Sequence, residues 1–542
     1  MLKKSSTSDN LSEIKKSIGR RKSLVLDNEY GETSSSDDEQ NSKSRLNKKK
    51  TESHHHKYVS QFGDIKFSSQ SSTIFDSPNF YESQFFGFYV LFWLGTAFYM
   101  MNVFVNYYYV NAEPIYEWPI VQILKKDIIK VGFTDLAMYL STYLVFFIQL
   151  ACRSNYINWT GAGWIIQSVY EIVFLKFWLW FASASMMDFP WVAKVFLALH
   201  SLVFIMKMHS YGFYNGYLWK ILQELKFSES HFLNLTNNEN YSAPDGYTIY
   251  QMKNILKESI SFCKFELEYQ SHATTIENEV YKFDETRIQI KLDTLQAENI
   301  IKFPANINLF NFFEYSMFPA LVYTLHFPRT KRIKWTYVFE KTCAVFGIIF
   351  LMILVAQSWM YPLVMQCIEV RRLPIKERFN SYIFILLDMI PPFLMEYLFT
   401  FFLIWDSILN VIAELTRFAD REFYGPWWSC TDWSEFSRIW NVPVHKFLLR
   451  HVYHSSISSF KVNKFQAALL TFIISSFIHE LVMFVIFGTL RGYLLLLQMS
   501  QIPLVMLSRT KFMKDKKVLG NIICWFGFIS GPSMICTLYL IY

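Results

Sequence analysis

An all-α protein that crosses a membrane many times is what this sequence predicts. Of its 542 residues, 52% are apolar and 19% aromatic, while only 18% carry charge; soluble domains hold about 25% charged residues. The apolar residues come in unbroken runs rather than at the spacing of an amphipathic helix or strand. Nine such runs approach the length of about 20 residues that a spanning helix needs. The abundance of aromatic rings, 53 Phe, 32 Tyr and 16 Trp, also suits a bilayer, whose headgroup level favours Trp and Tyr.

Residues 1–80 are rich in Ser, Lys, Asp, Glu and Asn and poor in large apolar side chains. Such a stretch buries too little surface to offset its chain entropy, so the expectation is a disordered tail. Within it, Ser34–Glu39 is an acidic serine cluster and a candidate phosphorylation site. Lys48-Lys49-Lys50 suits an anionic membrane surface, and His54-His55-His56 is too short to argue for a metal. No short apolar core of a cleavable signal peptide precedes the first run.

From residue 81 to residue 542 a single membrane domain is expected. Its nine runs are Phe86–Val105, Phe133–Ala151, Trp164–Ala184, Trp191–Tyr211, Val338–Trp359, Tyr382–Trp405, Phe465–Phe487, Leu490–Leu507 and Leu519–Tyr542. Pro391-Pro392 in the sixth run is tolerable where packed neighbours re-satisfy the backbone. Between the fourth and fifth runs lies a polar loop of about 212–336, whose part Gln251–Leu295 reads as an amphipathic helix.

Lys and Arg placement puts the tail, this loop, the segment from Asp406 to Lys464 and Arg509–Lys517 in the cytosol. Arg371, Arg372, Lys376 and Arg378 then face the lumen, against the rule. Asn234-Leu235-Thr236 and Asn240-Tyr241-Ser242 are glycosylation acceptors on the loop; glycan there would invert the topology. The basic residues do not interleave with aromatics on any soluble segment, which argues against a nucleic-acid partner. Seven scattered Cys with no CxxC pair predict no disulfide framework.

Two features carry chemistry. His479 lies in the apolar run that ends at Phe487, and ionisable residues inside membranes are expensive and functional by default. Ser475 and Ser476 precede it by one helical turn and share its face. Glu480 points about 100° away on an ideal helix, so it is no triad partner. A buried His bonding a neighbouring helix is the plainer alternative. The second feature is Phe423–Trp428 followed by Trp440–His445 and Leu448–His454, a crowd of aromatic, amide and imidazole groups. An interfacial aromatic belt and a polar entrance to an embedded site both accommodate it. His451 and His454 lack the Cys or carboxylate that would complete a zinc set, so no metal is expected.

These blocks resemble the membrane-bound O-acyltransferases, in the branch of sterol O-acyltransferases and acyl-CoA:diacylglycerol acyltransferases. That branch carries FYxDWWN, then WN with a following VH, then an intramembrane His about forty residues on. Phe318–Tyr323 and Phe327–Lys331 are similar to the FPxLVY and YPRT elements of the fungal sterol enzymes, as is Gly531–Leu540 near the end. His209-Ser210-Tyr211 adds another matching element after the fourth run. The resemblance covers most of the chain from Phe318 onward.

It implies an intramembrane catalytic chamber enclosed by the helices, with His479 and Asn441 as catalytic residues and His445 in the substrate tunnel. The aromatic block Trp440, Tyr424, Trp427 and Trp428, with Ser475 and Arg450, is assigned to substrate. Pro426 stands where the family has Asp, and Ser429 where it has Asn. The implied reaction moves a fatty acyl chain from acyl-CoA to the 3β-hydroxyl of an ergosterol-like sterol, with acyl-CoA as co-substrate and no cofactor. Arg438, Lys446 and Arg450 would meet the polyanionic CoA head, or simply follow the positive-inside rule. The resemblance further implies an endoplasmic reticulum membrane, contact with membrane lipids and assembly as a dimer or tetramer. Alternatives are a diacylglycerol acyltransferase and a weakly active or non-catalytic sterol-binding paralogue. A transporter has no support, since no paired broken segments occur in two related halves.

Overall fold

The computed structural model describes residues 9–19, 67–183, 186–237, 246–272 and 301–542, together with Thr7, Ser60 and Ile65. Among them, eight helices are long and apolar enough to cross a membrane. They are α1 (Phe86–Asn111), α2 (Ile128–Arg153), α3 (Trp159–Ala182) and α4 (Trp191–Asn237), then α6 (Trp335–Val370), α7 (Ile375–Leu415), α9 (Lys464–Phe487) and α12 (Lys517–Ile541). Four further helices bear on the site: α5 (Ile249–His272), the short α8 (Val442–Leu448) and the pair α10 (Tyr493–Met499) and α11 (Gln501–Ser508). The α1 helix exposes Phe88, Leu91, Leu94, Phe98 and Val105, an apolar face that only lipid or another protein can cover.

The expected ninth span, Leu490–Leu507, is a correction: it is the α10–α11 pair, broken at Ser500. Gly488 and Gly492 adopt left-handed backbone just before it, and Pro503 removes a donor within α11. Neither piece alone has the length to span.

The polar loop is corrected too. No proline interrupts residues 191–237, and α4 runs on through Asn237 instead of ending at Tyr211. At about 1.5 Å per residue the helix is about 70 Å long, far more than the roughly 30 Å apolar core of a bilayer. Its extension pairs with α5 to make a helical hairpin, and the acceptor Asn234 lies within that helix. The rest of the expected amphipathic segment, and Asn240, fall outside the described residues.

The tail expectation needs revision at two places. Residues 9–19 form a helix whose Leu11 packs with Met252 and Leu256 of α5. Residues 67–80 lie against the membrane domain through Phe67 and Phe75, which join the main aromatic core. Apolar and acidic side chains in a polar stretch found partners that a compositional average hides. The serine cluster, Lys48–Lys50 and His54–His56 lie outside the described residues.

Close approach is achieved by small residues, as expected of packed membrane helices. At Gly216 in α4 an added Cβ would sit only 2.0 Å from the indole of Trp159, at the start of α3. Gly216→Val therefore overpacks this contact and costs about 1–3 kcal/mol. A lower thermal midpoint of the purified protein in detergent, measured by fluorescence size-exclusion, is the expected readout; an unchanged midpoint would show the packing to be loose.

Candidate active site

The aromatic block folds around a backbone zipper. Gly425 N–H donates to the Ile439 carbonyl at 2.7 Å, and Val442 N–H donates to that of Phe423 at 3.1 Å. Glycine is required at 425 because a Cβ there would lie 2.9 Å from that of Ile439. The zipper lays residues 423–428 beside 439–442 and sets Trp427 edge-on to Trp440, 5.1 Å between ring centres. On α7, Tyr397, Phe401 and Trp405 recur every fourth residue and form one stripe. Their rings lie 5.1, 5.9 and 5.0 Å from Trp440. Trp427 is buried, Trp428 half-buried and Tyr424 buried.

Asn441 follows Trp440 and caps α8. Its Oδ1 accepts from the Val444 N–H at 3.3 Å, with Pro443 in the first turn; both are standard helix-start devices. With the oxygen so engaged, the amide nitrogen is the free end, and it can only donate. His445 is half-buried. Burial, then the cations Arg438 and Lys446, push its imidazole below the ordinary 6.5.

His479 sits on α9 with its ring exposed. Its Nδ1 lies 2.7 Å from the Ser475 carbonyl. A carbonyl can only accept, so Nδ1 carries a proton, and in the neutral ring Nε2 then keeps its lone pair. This is the tautomer a general base requires. The backbone of Ser475, not its hydroxyl, makes the contact. Glu480 instead anchors the helix: its carboxylate accepts from the backbone N–H of Gly492 at 2.7 Å and of Leu495 at 3.1 Å, and from the Tyr539 hydroxyl at 2.5 Å. Among the described residues no hydrogen bond joins His479 to Asn441 or His445. The α9 helix packs on α4 and on the wide turn Leu449–His454 that continues α8.

That turn is braced by a polar network the sequence motifs only hinted at. His451 Nε2 is 2.9 Å from the Ser210 hydroxyl, which also accepts from the Tyr323 N–H at 2.8 Å. His209 Nδ1 lies 3.0 Å from the Glu171 carboxylate of α3, and the two imidazoles meet edge-on at 5.1 Å. Arg450 is buried, donates to the Tyr323 carbonyl at 3.2 Å and lies over the Tyr214 ring. This geometry makes it an internal brace and removes it from the expected CoA-facing surface. Lys446 pairs with Asp420 at 2.9 Å, which leaves Arg438, exposed, as the freest of the three expected cations.

Sequence reasoning missed the ionic core behind the block. Lys341 of α6 reaches Asp406 of α7 at 2.8 Å and Asp76 at 3.1 Å. The other oxygen of Asp406 accepts from the Tyr424 hydroxyl at 2.7 Å, and Tyr337 donates to Asp76 at 2.7 Å. Its signal was present: Lys341 and Asp406 are charges placed in or beside apolar runs. The wide turn Phe402–Ile408 in α7 carries Asp406, and such turns recur at functional positions. Pro426 and Ser429, where the sequence departs from the resemblance, are both exposed on the outer edge of the loop. Pro426 has a φ of −74°, natural for proline, and the packed side of the loop forms without the acid.

Comparison with known proteins shows what the chain is similar to. Residues 296–541 match the family model described as MBOAT, membrane-bound O-acyltransferase family. The chain is 63% identical over 489 residues to Sterol O-acyltransferase 2 of Candida albicans, covering 90% of this chain and 80% of that protein. It is 46% identical over 462 residues to Sterol O-acyltransferase 2 of Saccharomyces cerevisiae, covering 85% and 67%. The protein of the same name from Saccharomyces uvarum is also 46% identical over 462 residues, covering 85% and 66%.

Lys341→Met strands the buried Asp406 and the half-buried Asp76, a change that costs about 3–5 kcal/mol. A thermal melt of the purified protein should show the loss, and the pair Lys341→Met with Asp406→Asn should recover part of it; no difference between single and double variants would refute the coupling. A pH dependence follows from His451. Burial first, then His209 and Arg450, hold its imidazole well below 6.5. The unfolded chain thus takes up a proton that the folded one refuses once the pH drops under about 6.5. This contribution to stability is complete above that pH and is lost as the pH falls. Melting temperature should drop between about pH 7.5 and 5.5, and less steeply in His451→Gln.

Proposed function

Because the chain belongs to the membrane-bound O-acyltransferase family, in its fungal sterol O-acyltransferase branch, we propose that it is an acyl-CoA:sterol O-acyltransferase forming steryl esters for storage. The observation that carries the mechanism is the His479 tautomer, with Nε2 free inside a membrane-spanning helix. The acceptor's hydroxyl gives its proton to Nε2 while its oxygen attacks the thioester carbon. Charge then develops on the former carbonyl oxygen, where the Asn441 amide N–H stabilises it; one such donor is worth about 3–4 kcal/mol in other enzymes. The C–S bond breaks as the tetrahedral intermediate collapses, and the imidazolium returns the proton to the CoA thiolate. No net proton is released and no covalent enzyme intermediate is needed.

The aromatic wall formed by Tyr397, Trp427 and Trp440 suits an apolar acyl chain and sterol skeleton. His445, Trp428, Tyr424 and Ser475 belong to the substrate-binding surroundings in this reading; Arg450 acts from behind it through Tyr323. The exposed Arg438 is the cation for the CoA head. The chain works in the endoplasmic reticulum membrane with its N-terminal tail in the cytosol, assembled as a dimer or tetramer.

A purified preparation given labelled oleoyl-CoA and either ergosterol or diacylglycerol tests the reading. Steryl ester should form with wild type and fall at least about a thousandfold in His479→Ala, the scale of losing a general base and its positioning. Ester formation with diacylglycerol alone would assign the sister activity, and equal activity of His479→Ala would remove His479 from the chemistry. Pro426→Asp should change the rate less than about threefold, since position 426 is exposed; a large gain would mean that the proline had weakened the site.

A further inference from the structure

The last spanning helix grips the aromatic loop, and the mechanism above gives that grip no role. In α12, Asn521, Cys524, Trp525 and Phe528 follow the spacing that lies on one helix face, while Ile522 and Phe526 are exposed. The side-chain amide of Asn521 donates to the Trp428 carbonyl at 3.1 Å and to the Cys430 carbonyl at 2.9 Å. The Trp525 indole N–H donates to the same Trp428 carbonyl at 3.0 Å. Two glycines allow the close approach. A Cβ at Gly520 would stand 2.4 Å from the Thr431 carbonyl oxygen, and one at Gly527 would stand 2.4 Å from the Trp433 ring.

These bonds hold the backbone next to the ring at the centre of the wall. Trp427 precedes Trp428, and its ring packs against Trp525 and Phe528 of α12 at 5.9 and 5.8 Å. The same ring meets Trp440 at 5.1 Å, and Asn441 is the next residue. Roughly 27 Å further along α12 by helical rise, the Tyr539 hydroxyl donates to Glu480, the neighbour of His479. One helix thus contacts both the loop that leads to Asn441 and the helix that carries His479. Apolar packing is largely non-directional. The three hydrogen bonds, with their narrow distances and angles, fix the register of the loop against α12.

We propose that Asn521 is a positioning residue for the acyl transfer: by holding residues 428–430 on α12 it keeps Trp427 against Trp440, and so places the Asn441 amide relative to His479. The proposal rests on the sterol acyltransferase reading above. Asn521 touches neither substrate; it acts through Asn441.

The test is a double-mutant cycle in the full-length protein in detergent, reading steryl ester formed from labelled oleoyl-CoA and ergosterol. Asn521→Ala should lower kcat about ten- to hundredfold, the scale of a displacement of about 1 Å at a reacting group. Both KM values should stay within about twofold. In an Asn441→Ala background the same substitution should lower kcat less than about twofold further, since the group it positions is gone. Asn521→Asp keeps the shape but loses the donor and should be no better than Ala. Asn521→Gln keeps a donating amide and should recover part of the loss. An equal fall in both backgrounds, or an unchanged kcat in Asn521→Ala, overturns the proposal and leaves Asn521 a purely structural bond. An Ala variant that does not run as a single species is replaced by Asp in the same cycle. Should Asn441→Ala turn over too slowly to measure, the ranking decides: Asn above Gln, and Gln above Ala and Asp, supports the proposal, and any other order overturns it. Failure of the sterol reading is separate: wild type would then make no steryl ester, whatever the variants do.

Discussion

A carboxylate at Asp406, in the wide turn near one end of α7, must be answered by charge and hydrogen bonds, and much of the domain is arranged by the answer. Lys341 supplies the cation from α6. Its second partner, Asp76, draws residues 67–80 onto the membrane domain. The remaining oxygen of Asp406 fixes the Tyr424 hydroxyl and with it the aromatic loop. The zipper from Phe423 to Val442 and from Gly425 to Ile439 then determines where α8 begins, and Asn441 is the residue at that point. Buried ion pairs contribute little net stability once desolvation is counted. Here the consequence is geometric: one carboxylate connects the N-terminal segment, two spanning helices and the loop that presents Asn441.

His479 is oriented by a different device. Among the described residues no carboxylate holds its imidazole; the carbonyl one turn back in its own helix does. The adjacent Glu480 points elsewhere and fastens α9 to the start of α10 and to Tyr539 of α12. Position and tautomer are thus set by the helix, while the helix is set by its neighbour in sequence. Among the described residues this division leaves Nε2 of His479 without a competing polar partner.

What the sequence made legible followed from local patterns. Unbroken apolar runs located the eight spanning helices, and the polarity of His479 within one of them made it the candidate base. The ends of elements were harder. Hydropathy falls after Tyr211 and so marks the end of the apolar run, but it does not show that the helix of α4 continues to Asn237. Run length alone also read Leu490–Leu507 as a span, although Ser500 divides it into two short helices. Asp76 and Phe67 were hidden in a tail whose average composition is polar, because their partners are hundreds of residues away. Arg450 was assigned outward from its charge, whereas its burial against Tyr323 and Tyr214 depends on tertiary packing that no local pattern encodes.

The account makes Asn441 and His479 two sides of one reacting centre, although among the described residues no hydrogen bond joins them. A cryo-EM structure with a non-hydrolysable thioether analogue of oleoyl-CoA measures this directly. The account predicts the analogue's counterpart of the thioester carbon between the two residues, with hydrogen-bond reach of about 3 Å to the Asn441 amide nitrogen and room for an acceptor hydroxyl against His479 Nε2. An analogue bound with that carbon on the far side of the Trp427–Trp440 wall, out of reach of His479, would contradict it.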